Sequence, residues 1–323
     1  MVSSSAGLDI YAEVLQAEKR IRPHIRETPL HYSLPLSQLG NCQVFLKLEN
    51  LQHTGSFKAR GAMNKLLSLT AEQQQQGIVT ASSGNHGAAV AFGLSSTDIP
   101  GVIFLPKDAS SAKVNVIRQL GAEVQFYGDD CGLTEAYARR YAGEHGMVYI
   151  SPYNDAQVLA GQGTIAVELA QQLEQIDAVF VSVGGGGLMS GMAGYLKSEL
   201  EGIKMIGCSP ANSPVMARSI RAGQIVEMDS LPTLSDGTAG GIEPGAITFD
   251  LCRTLIDEFV LVTEAEIEAA IRFAIEAQHL LIEGAAGVAI ASFLKQKGRF
   301  SGKTVVIVIC GANISLEALK QIL

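Results

Sequence analysis

The chain has 323 residues, which suggests about two domains, and its 47% hydrophobic and 17% charged residues exclude intrinsic disorder. Its 24 basic and 32 acidic residues give a formal net charge of −8, which argues against nucleic acid or an anionic membrane as a partner. Five cysteines without a CxxC pair argue against a disulfide framework and favour a reducing, cytoplasmic location.

The amino-terminal segment, residues 1–14, has no basic stretch followed by an apolar core, so we do not expect a secretory signal peptide. No apolar run reaches the roughly 18 residues that a membrane-spanning helix needs. We therefore expect no membrane partner.

Short apolar runs alternate with helical patterns along almost the whole chain. The predicted strands cover residues 44–48, 101–105, 123–126, 178–183, 205–208, 259–262 and 304–309. The predicted helices cover residues 61–68, 87–95, 111–120, 133–146, 161–173, 263–281 and 287–296. Near-continuous apolar strands suit parallel sheets covered on both faces, so the alternation predicts an α/β fold with two open doubly wound sheet domains. We assign residues 71–149 to a small inserted domain, and residues 1–70 and 150–323 to a large discontinuous one.

A lysine flanked by small residues follows the first predicted strand, in the segment Thr54-Gly-Ser-Phe-Lys-Ala-Arg-Gly61. A lysine in such a place is often a solvated surface charge. The alternative is a Schiff-base lysine, whose amine must be partly desolvated to be nucleophilic, with Phe57 as a wall beside an aromatic cofactor. The residues of this segment leave both interpretations of Lys58 open.

A small polar loop, Ser82-Ser-Gly-Asn-His-Gly87, follows another strand pattern and precedes a helix pattern. Serine and asparagine are good helix N-caps, so ordinary capping is one explanation. The other is an anion site for a substrate carboxylate at the start of the helix. Asn85 can both donate and accept hydrogen bonds, as contact with a ring hydroxyl requires.

Four consecutive glycines, Gly184, Gly185, Gly186 and Gly187, stand between an apolar strand and a helix pattern. Bare backbone N–H groups at a helix start favour a phosphate, whereas a simple turn needs only one or two glycines. The dinucleotide fingerprint G-x-G-x-x-G is not met, and no Walker A motif follows a strand. The glycines therefore predict a site for a smaller cofactor phosphate.

A cysteine, Cys310, ends the last apolar strand and is followed by the turn Gly311-Ala-Asn313. The carboxyl ends of strands face the ligand crevice in open α/β sheets, which would place this thiol in a site. Most free cysteines, however, are buried structural residues.

Together, these motifs resemble the fold type II pyridoxal-phosphate (PLP) enzymes, with a tryptophan synthase β-like fold. The chain is most similar to their serine/threonine dehydratase and serine racemase family. Ser56-Phe-Lys-Ala-Arg-Gly61 resembles the family's cofactor-lysine motif, and Ser82–Gly87 and Gly184–Leu188 resemble its substrate loop and phosphate cup. The segments 25–30, 160–164 and 235–237 also match family blocks, so the resemblance covers nearly the whole chain.

The resemblance implies that Lys58 forms a Schiff base with PLP in the large domain and acts as the base at the substrate Cα. Phe57 would pack beside the pyridine ring, Asn85 would hydrogen-bond its 3-hydroxyl, and Cys310 would face its nitrogen. The implied phosphate ligands are the backbone N–H groups of Gly184, Gly185, Gly186, Gly187 and Leu188.

On the substrate side, the resemblance implies binding by the loop residues Ser82, Ser83, Gly84, Asn85 and His86. Asp236 and Gly237 would lie near the substrate end of the cofactor, Asp236 contacting substrate and Gly237 contacting cofactor. Ser83 would occupy the cofactor face opposite Lys58, which makes it a second catalytic candidate.

The function implied by the resemblance is a PLP-dependent ammonia-lyase. It would convert a small L-3-hydroxy amino acid, such as threonine or serine, into a 2-oxo acid and ammonia. A serine racemase is the alternative that Ser83 favours, and a lyase for 3-hydroxyaspartate or for hydroxyectoine breakdown is another. Some relatives bind a divalent cation through carboxylates where this chain has Ser209 and Val215, so we expect no metal. Relatives are commonly dimers or tetramers, which implies a homo-oligomer.

Overall fold

A computed structural model of the chain describes residues 8–323. Residues 1–7 lie outside the described residues. They form the first half of the amino-terminal segment, residues 1–14, in which we expect no signal peptide. Between residues 8 and 323, no helix is both long enough and apolar enough to cross a membrane.

Ten strands form two sheets, one of six strands and one of four. The strands are β1 Leu30–Tyr32, β2 Gln43–Lys47, β3 Ile78–Ala81, β4 Gly101–Leu105, β5 Glu123–Phe126, β6 Val148–Tyr149, β7 Ala178–Ser182, β8 Lys204–Pro210, β9 Glu258–Val262 and β10 Thr304–Val308. The six-stranded sheet has the order β1-β2-β10-β7-β8-β9, and the four-stranded sheet the order β5-β4-β3-β6. Every pairing of described strands is parallel except that of β1 with β2.

Fourteen α-helices connect and cover these sheets within the described part of the chain. They are α1 Ile10–Ile21, α2 Leu34–Gly40, α3 Lys58–Leu67, α4 Ala71–Gln76, α5 Asn85–Thr97, α6 Ser111–Gln119, α7 Cys131–Glu144, α8 Ala156–Gln172, α9 Gly187–Glu199, α10 Val215–Ala222, α11 Ile247–Leu255, α12 Glu264–Gln278, α13 Gly284–Gln296 and α14 Leu316–Ile322. The predicted α/β class with two open, mainly parallel sheets is thus confirmed.

The central strands of the larger sheet are buried on both faces, as their continuous apolar sequences predict. All five residues of β7 are buried, and so are four of the five in β10. The chain runs from β7 outward to β9, then returns to place β10 on the other side of β7. This reversal of strand order creates a crevice at the carboxyl ends of β7 and β10, where ligands bind in open α/β sheets.

The smaller sheet lies within residues 78–149, and its apolar clusters are separate from the core around the larger sheet. Its strand β3 also ends in a loop, followed by α5. The division of the chain at residues 71 and 149 into two domains stays a prediction.

A buried ion network fixes α3 between β2 and α8. The Arg60 guanidinium donates to both Glu49 oxygens at 2.8 Å and to the Glu168 oxygens at 2.7 and 3.0 Å. The Lys47 amine donates to Glu168 Oε2 at 2.6 Å and to the Thr28 carbonyl at 2.8 Å. These four charged side chains are almost completely inaccessible to solvent. Arg60 lies two residues after Lys58, so this network holds the start of α3 in place.

Candidate active site

Lys58 is the first residue of α3, and the segment before it is tied to the end of β10. Ser56 forms an isolated antiparallel bridge with Gly311, and the Phe57 N–H donates to the Cys310 carbonyl at 3.1 Å. The Lys58 amine donates to the Pro152 carbonyl at 2.7 Å. Burial lowers the pKa of Lys58 to about 8, against the opposing influence of acidic groups at Cys310 and Glu283. The lysine is therefore not an ordinary solvated surface charge.

The loop from Ser82 to Asn85 leads from β3 into α5, with Gly84 at the N-cap position. The Ser82 hydroxyl accepts from the Gly84 N–H at 3.2 Å. Because α5 is 13 residues long and its first backbone N–H groups have no carbonyl partner within the helix, its start is suited to an anion. Ser83 lies on this loop, half-buried.

His86 is buried beneath this loop. Its Nε2 lies 3.1 Å from the Ile150 carbonyl oxygen, and burial lowers its pKa to about 3. The imidazole is therefore neutral and serves to join α5 to the residue that follows β6. Its predicted contact with substrate stays a prediction.

The four glycines connect β7 to α9. Neighbouring residues pack so closely against this loop that they leave no room for side chains on it. A Cβ built on Gly185 would lie 2.4 Å from the Tyr153 ring, and one on Gly184 would lie 2.9 Å from Thr238 Cα. Gly186 has a φ of 86°, in the left-handed region. The loop thus presents bare backbone at the start of a 13-residue helix. This is the arrangement that a phosphate needs.

We expect Gly185→Ala to weaken PLP binding at least tenfold, or about 1.4 kcal/mol. The added methyl must displace either the Tyr153 ring or the glycine loop itself. The measurement is a PLP titration of the apoprotein. Gly143→Ala in α7 is the matched control, because a Cβ there meets nothing within 4 Å. Equal PLP affinity in the two variants would contradict this role for the loop.

Cys310 is buried just after β10, next to a carboxylate that the sequence motifs did not include. Burial raises the pKa of the Cys310 thiol, and the nearby Glu283 charge raises it further. The thiol donates to Glu283 Oε1 at 3.8 Å. Glu283 is only 3% exposed, and burial raises its pKa to about 7. In the sequence, the only sign that Glu283 belongs to the site is its position directly before the apolar helix α13.

Asp236 and Gly237 form a 3₁₀ turn, Asp236–Thr238, near the same carboxylate. A Cβ on Gly237 would lie 3.6 Å from Glu283 Oε1. The Asp236 carboxylate is exposed and pairs with the Lys113 amine of α6 at 3.5 Å. This ion pair joins a loop of the larger sheet to a helix beside the smaller one.

The structure therefore brings together most of the side chains that the sequence analysis selected, at the carboxyl ends of β3, β7 and β10. Sequence analysis missed Glu283, Asn313, Tyr153 and Pro152, all of which contact a predicted site residue. No group of three or more His, Cys, Asp and Glu side chains in the described part of the chain is arranged to hold a metal ion. At the positions considered for a cation, the Ser209 hydroxyl donates to the Val183 carbonyl and Val215 is buried.

Comparison with known proteins gives a consistent result. The family model described as "Pyridoxal-phosphate dependent enzyme" matches residues 21–311. An L-threonine ammonia-lyase of Thermotoga maritima is 40% identical over 313 residues, which are 96% of this chain and 77% of that protein. The catabolic L-threonine dehydratase TdcB of Staphylococcus aureus is 38% identical over 315 residues, covering 96% and 91% of the two chains.

Two solved structures share the whole architecture. Maize serine racemase superposes with a TM-score of 0.91 at 31% identity, covering 96% of this chain and 95% of that one. Threonine deaminase isoform 2 of Solanum lycopersicum gives a TM-score of 0.94 at 30% identity, with coverages of 100% and 94%. The predicted fold type II architecture is confirmed by these similarities.

Proposed function

Because the chain belongs to the family of pyridoxal-phosphate dependent enzymes, we propose that it is an ammonia-lyase for a small L-3-hydroxy amino acid. L-threonine would give 2-oxobutyrate, L-serine would give pyruvate, and each would release ammonia. The observation that carries the proposal is the half-buried Lys58 amine, which donates to the Pro152 carbonyl next to Tyr153, the residue that packs against the bare glycine loop. The names of the relatives, L-threonine ammonia-lyase and L-threonine dehydratase, favour threonine.

The residues present fit the cofactor that the family uses. The glycine loop leaves a cradle that a single Cβ would fill, and its backbone N–H groups at the start of α9 suit the phosphate. The Lys58 amine, with its pKa of about 8, is neutral in roughly one molecule in ten at pH 7, far more than an ordinary lysine, and can attack the cofactor aldehyde.

In the proposed reaction, PLP supplies the electron sink for the carbanion at the substrate Cα. The start of α5 and the Ser82 hydroxyl bind the substrate carboxylate. Lys58 removes the proton from Cα, for which an amine with a pKa near 8 is a suitable base. The Cys310 thiol keeps its proton at neutral pH, so it would give the cofactor ring nitrogen a neutral neighbour. Such a neighbour would leave that nitrogen largely unprotonated, which would favour rapid elimination.

The test is a substrate panel with the purified holoenzyme. L-threonine, L-serine, threo-3-hydroxyaspartate and larger 3-hydroxy amino acids are each assayed for 2-oxo acid, ammonia and D-enantiomer. We expect 2-oxo acid and ammonia in equal amounts, with L-threonine or L-serine as the best substrate. The proposal fails if no member of the panel yields both products. A preference for 3-hydroxyaspartate would support the specialised lyase instead.

We expect EDTA to leave this activity within about twofold of its untreated value. Hard divalent cations need several oxygen ligands, and the expected carboxylates are replaced by Ser209 and Val215. The assay is repeated after chelation and again with added Mg²⁺. A several-fold loss that Mg²⁺ restores would show that a cation participates.

Racemisation is the second candidate, because Ser83 lies in the substrate loop and a serine racemase shares the fold. It requires a proton donor on the face opposite Lys58, whereas elimination from an L-substrate does not. We therefore expect Ser83→Ala to abolish any L-to-D conversion. Deamination should keep at least a tenth of its rate, a barrier increase of about 1.4 kcal/mol or less.

The measurement is a parallel assay of 2-oxo acid and D-amino acid, with Ser95→Ala on the exposed part of α5 as the control. If the unmodified enzyme made D-amino acid faster than 2-oxo acid, the racemase assignment would replace ours. A loss of both activities by more than a hundredfold would mean that Ser83 anchors the substrate carboxylate.

We further propose that the enzyme is a cytoplasmic homo-oligomer, a dimer or a tetramer. All five cysteines are free, which fits a reducing compartment. Tyr32 of β1 and Leu34 and Leu39 of α2 are exposed apolar side chains at the edge of the larger sheet, and contact with a second copy would cover them. Sedimentation analysis of the purified protein gives the oligomeric state directly.

A further inference from the structure

Glu283 is a buried carboxylate at the centre of the candidate site. It directly precedes α13, and its backbone N–H donates to the Gly311 carbonyl at 3.0 Å. A Cβ on Gly311 would lie 2.6 Å from the Glu283 carboxyl carbon, so the turn after β10 closes tightly over the carboxylate. Although Glu283 occupies the N-cap position, its side chain makes no capping hydrogen bond to α13. Helix capping therefore does not explain this residue.

The carboxylate instead accepts hydrogen bonds from three donors on two other segments. Asn85 Nδ2 lies 2.9 and 3.1 Å from its two oxygens, and the Asn313 backbone N–H donates at 3.2 Å. The Cys310 thiol donates at 3.8 Å. Glu283 thus joins the start of α5 to the turn after β10. Asn85 and Cys310 are the two side chains predicted to contact the cofactor ring at its 3-hydroxyl and its nitrogen.

The hydrogen-bond network also determines which way the Asn85 amide points. The Asn313 amide nitrogen donates to Asn85 Oδ1 at 2.6 Å and to the Thr54 carbonyl at 2.9 Å. Because Asn313 donates to Oδ1 and Nδ2 faces the carboxylate, the amide has one orientation, in which the second N–H of Nδ2 can donate to a ligand. Without the Glu283 acceptor, the Asn313 donor alone would hold this orientation of the amide.

We propose that Glu283 is a positioning residue that fixes Asn85 as a hydrogen-bond donor toward the cofactor ring. The inference rests on the proposed function, since it assumes that PLP occupies the site. A donor at the ring's 3-oxygen favours the anionic form of that oxygen, because a hydrogen bond to the charged form stabilises it. Glu283 thereby acts on the cofactor through Asn85.

A structural role alone does not account for a carboxylate in this place. Burial and the neighbouring Asp236 charge both disfavour its ionised form and raise its pKa to about 7. The other ionisable groups near it are the Lys58 amine and the Cys310 thiol. The hydrogen-bond partners of the Glu283 carboxylate are neutral groups, so replacing it with glutamine removes a buried charge without leaving a buried cation unpaired. Removing the Glu283 carboxylate should therefore weaken PLP binding without lowering the stability of the apoprotein.

The test is Glu283→Gln, which removes the charge but keeps the size of the side chain. We expect PLP affinity of the apoprotein to fall about tenfold, and the long-wavelength absorbance band of the substrate-free holoenzyme to lose intensity. The thermal midpoint of the apoprotein should not fall. Asp177→Asn is the matched control, since Asp177 accepts from the Thr304 N–H at 2.8 Å at the opposite end of β10. The control should change neither PLP affinity nor the spectrum.

A double-mutant cycle separates positioning from an independent contribution. If Glu283 acts through Asn85, the variant carrying both Glu283→Gln and Asn85→Ala should bind PLP within about threefold of Asn85→Ala alone. Additive losses overturn the proposal, and so does a Glu283→Gln protein with unchanged affinity and spectrum. A lowered apoprotein midpoint with additive losses identifies a structural role. All of these measurements omit substrate, so a failed substrate panel would contradict the lyase proposal without affecting this test.

Discussion

Replacing Lys58 with alanine is expected to abolish turnover, by at least about a thousandfold, while PLP still binds noncovalently. The amine is both the attachment point and the proton-transfer group, and general-base catalysis alone is worth roughly 10²- to 10⁴-fold. The proposed phosphate site lies on a separate segment, between β7 and α9, which the substitution does not touch. The measurements are 2-oxo acid release and bound PLP after gel filtration.

Lys65→Ala is the control for this variant, because Lys65 belongs to the same helix and its amine is already paired with Asp155 at 2.6 Å. Its turnover should stay near that of the unmodified enzyme. A Lys58→Ala protein that released 2-oxo acid at a comparable rate would exclude Lys58 as the base. Loss of all PLP binding would mean that the covalent link, rather than the glycine loop, dominates affinity.

Glu168→Gln is expected to lower the free energy of unfolding by about 3–5 kcal/mol. Glu168 accepts from Arg60 and Lys47, and removing its charge leaves two buried cations without sufficient compensation. The measurement is urea unfolding of the apoprotein at neutral pH. Glu174→Gln, at an exposed position just beyond α8, is the control and should change stability by no more than about 0.5 kcal/mol. Equal stabilities of the two variants would show that the network contributes little.

The stabilisation that the Glu168 carboxylate contributes to the folded state should depend on pH. Burial alone would raise the pKa of Glu168, but the charges and hydrogen bonds of Arg60 and Lys47 outweigh it and lower that pKa to about 2 from 4.5. Because the folded-state pKa is depressed, the stabilisation is fully present above pH 4.5 and disappears as the pH falls toward 2. The difference in unfolding free energy between the unmodified protein and Glu168→Gln should therefore shrink as the pH falls from 4.5 toward about 2, measured by the same urea unfolding.

Much of the fold could be predicted because the central strands are apolar throughout. All seven predicted strand ranges overlap strands of the structure. The strand β1 was missed because it has three residues, pairs antiparallel at an edge and is largely exposed. The start of α3 was placed at residue 61 instead of Lys58. Its position depends on the bridge between Ser56 and Gly311, a contact that local sequence does not reveal.

The candidate site was predictable where a motif combines several unusual residues within a short segment. Lys58, Ser82, Asn85 and the glycines belong to such segments. Glu283 does not, because its partners Asn85 and Cys310 lie on other elements and a single acid before a helix resembles a common cap. The ion network around Arg60 was missed for the same reason, since its acids and bases come from distant parts of the chain.

The central position of β10 has a consequence for how the protein is made. This strand, residues 304–308, inserts between β2 and β7, so the last strand of the described residues completes the middle of the larger sheet. During synthesis, β2 and β7 expose two unpaired apolar edges until β10 has emerged from the ribosome. Such edges are sites of aggregation, and sheets built from distant segments fold slowly. The nascent chain should therefore depend strongly on chaperones, and a ribosome that stalls before Thr304 would release an aggregation-prone product.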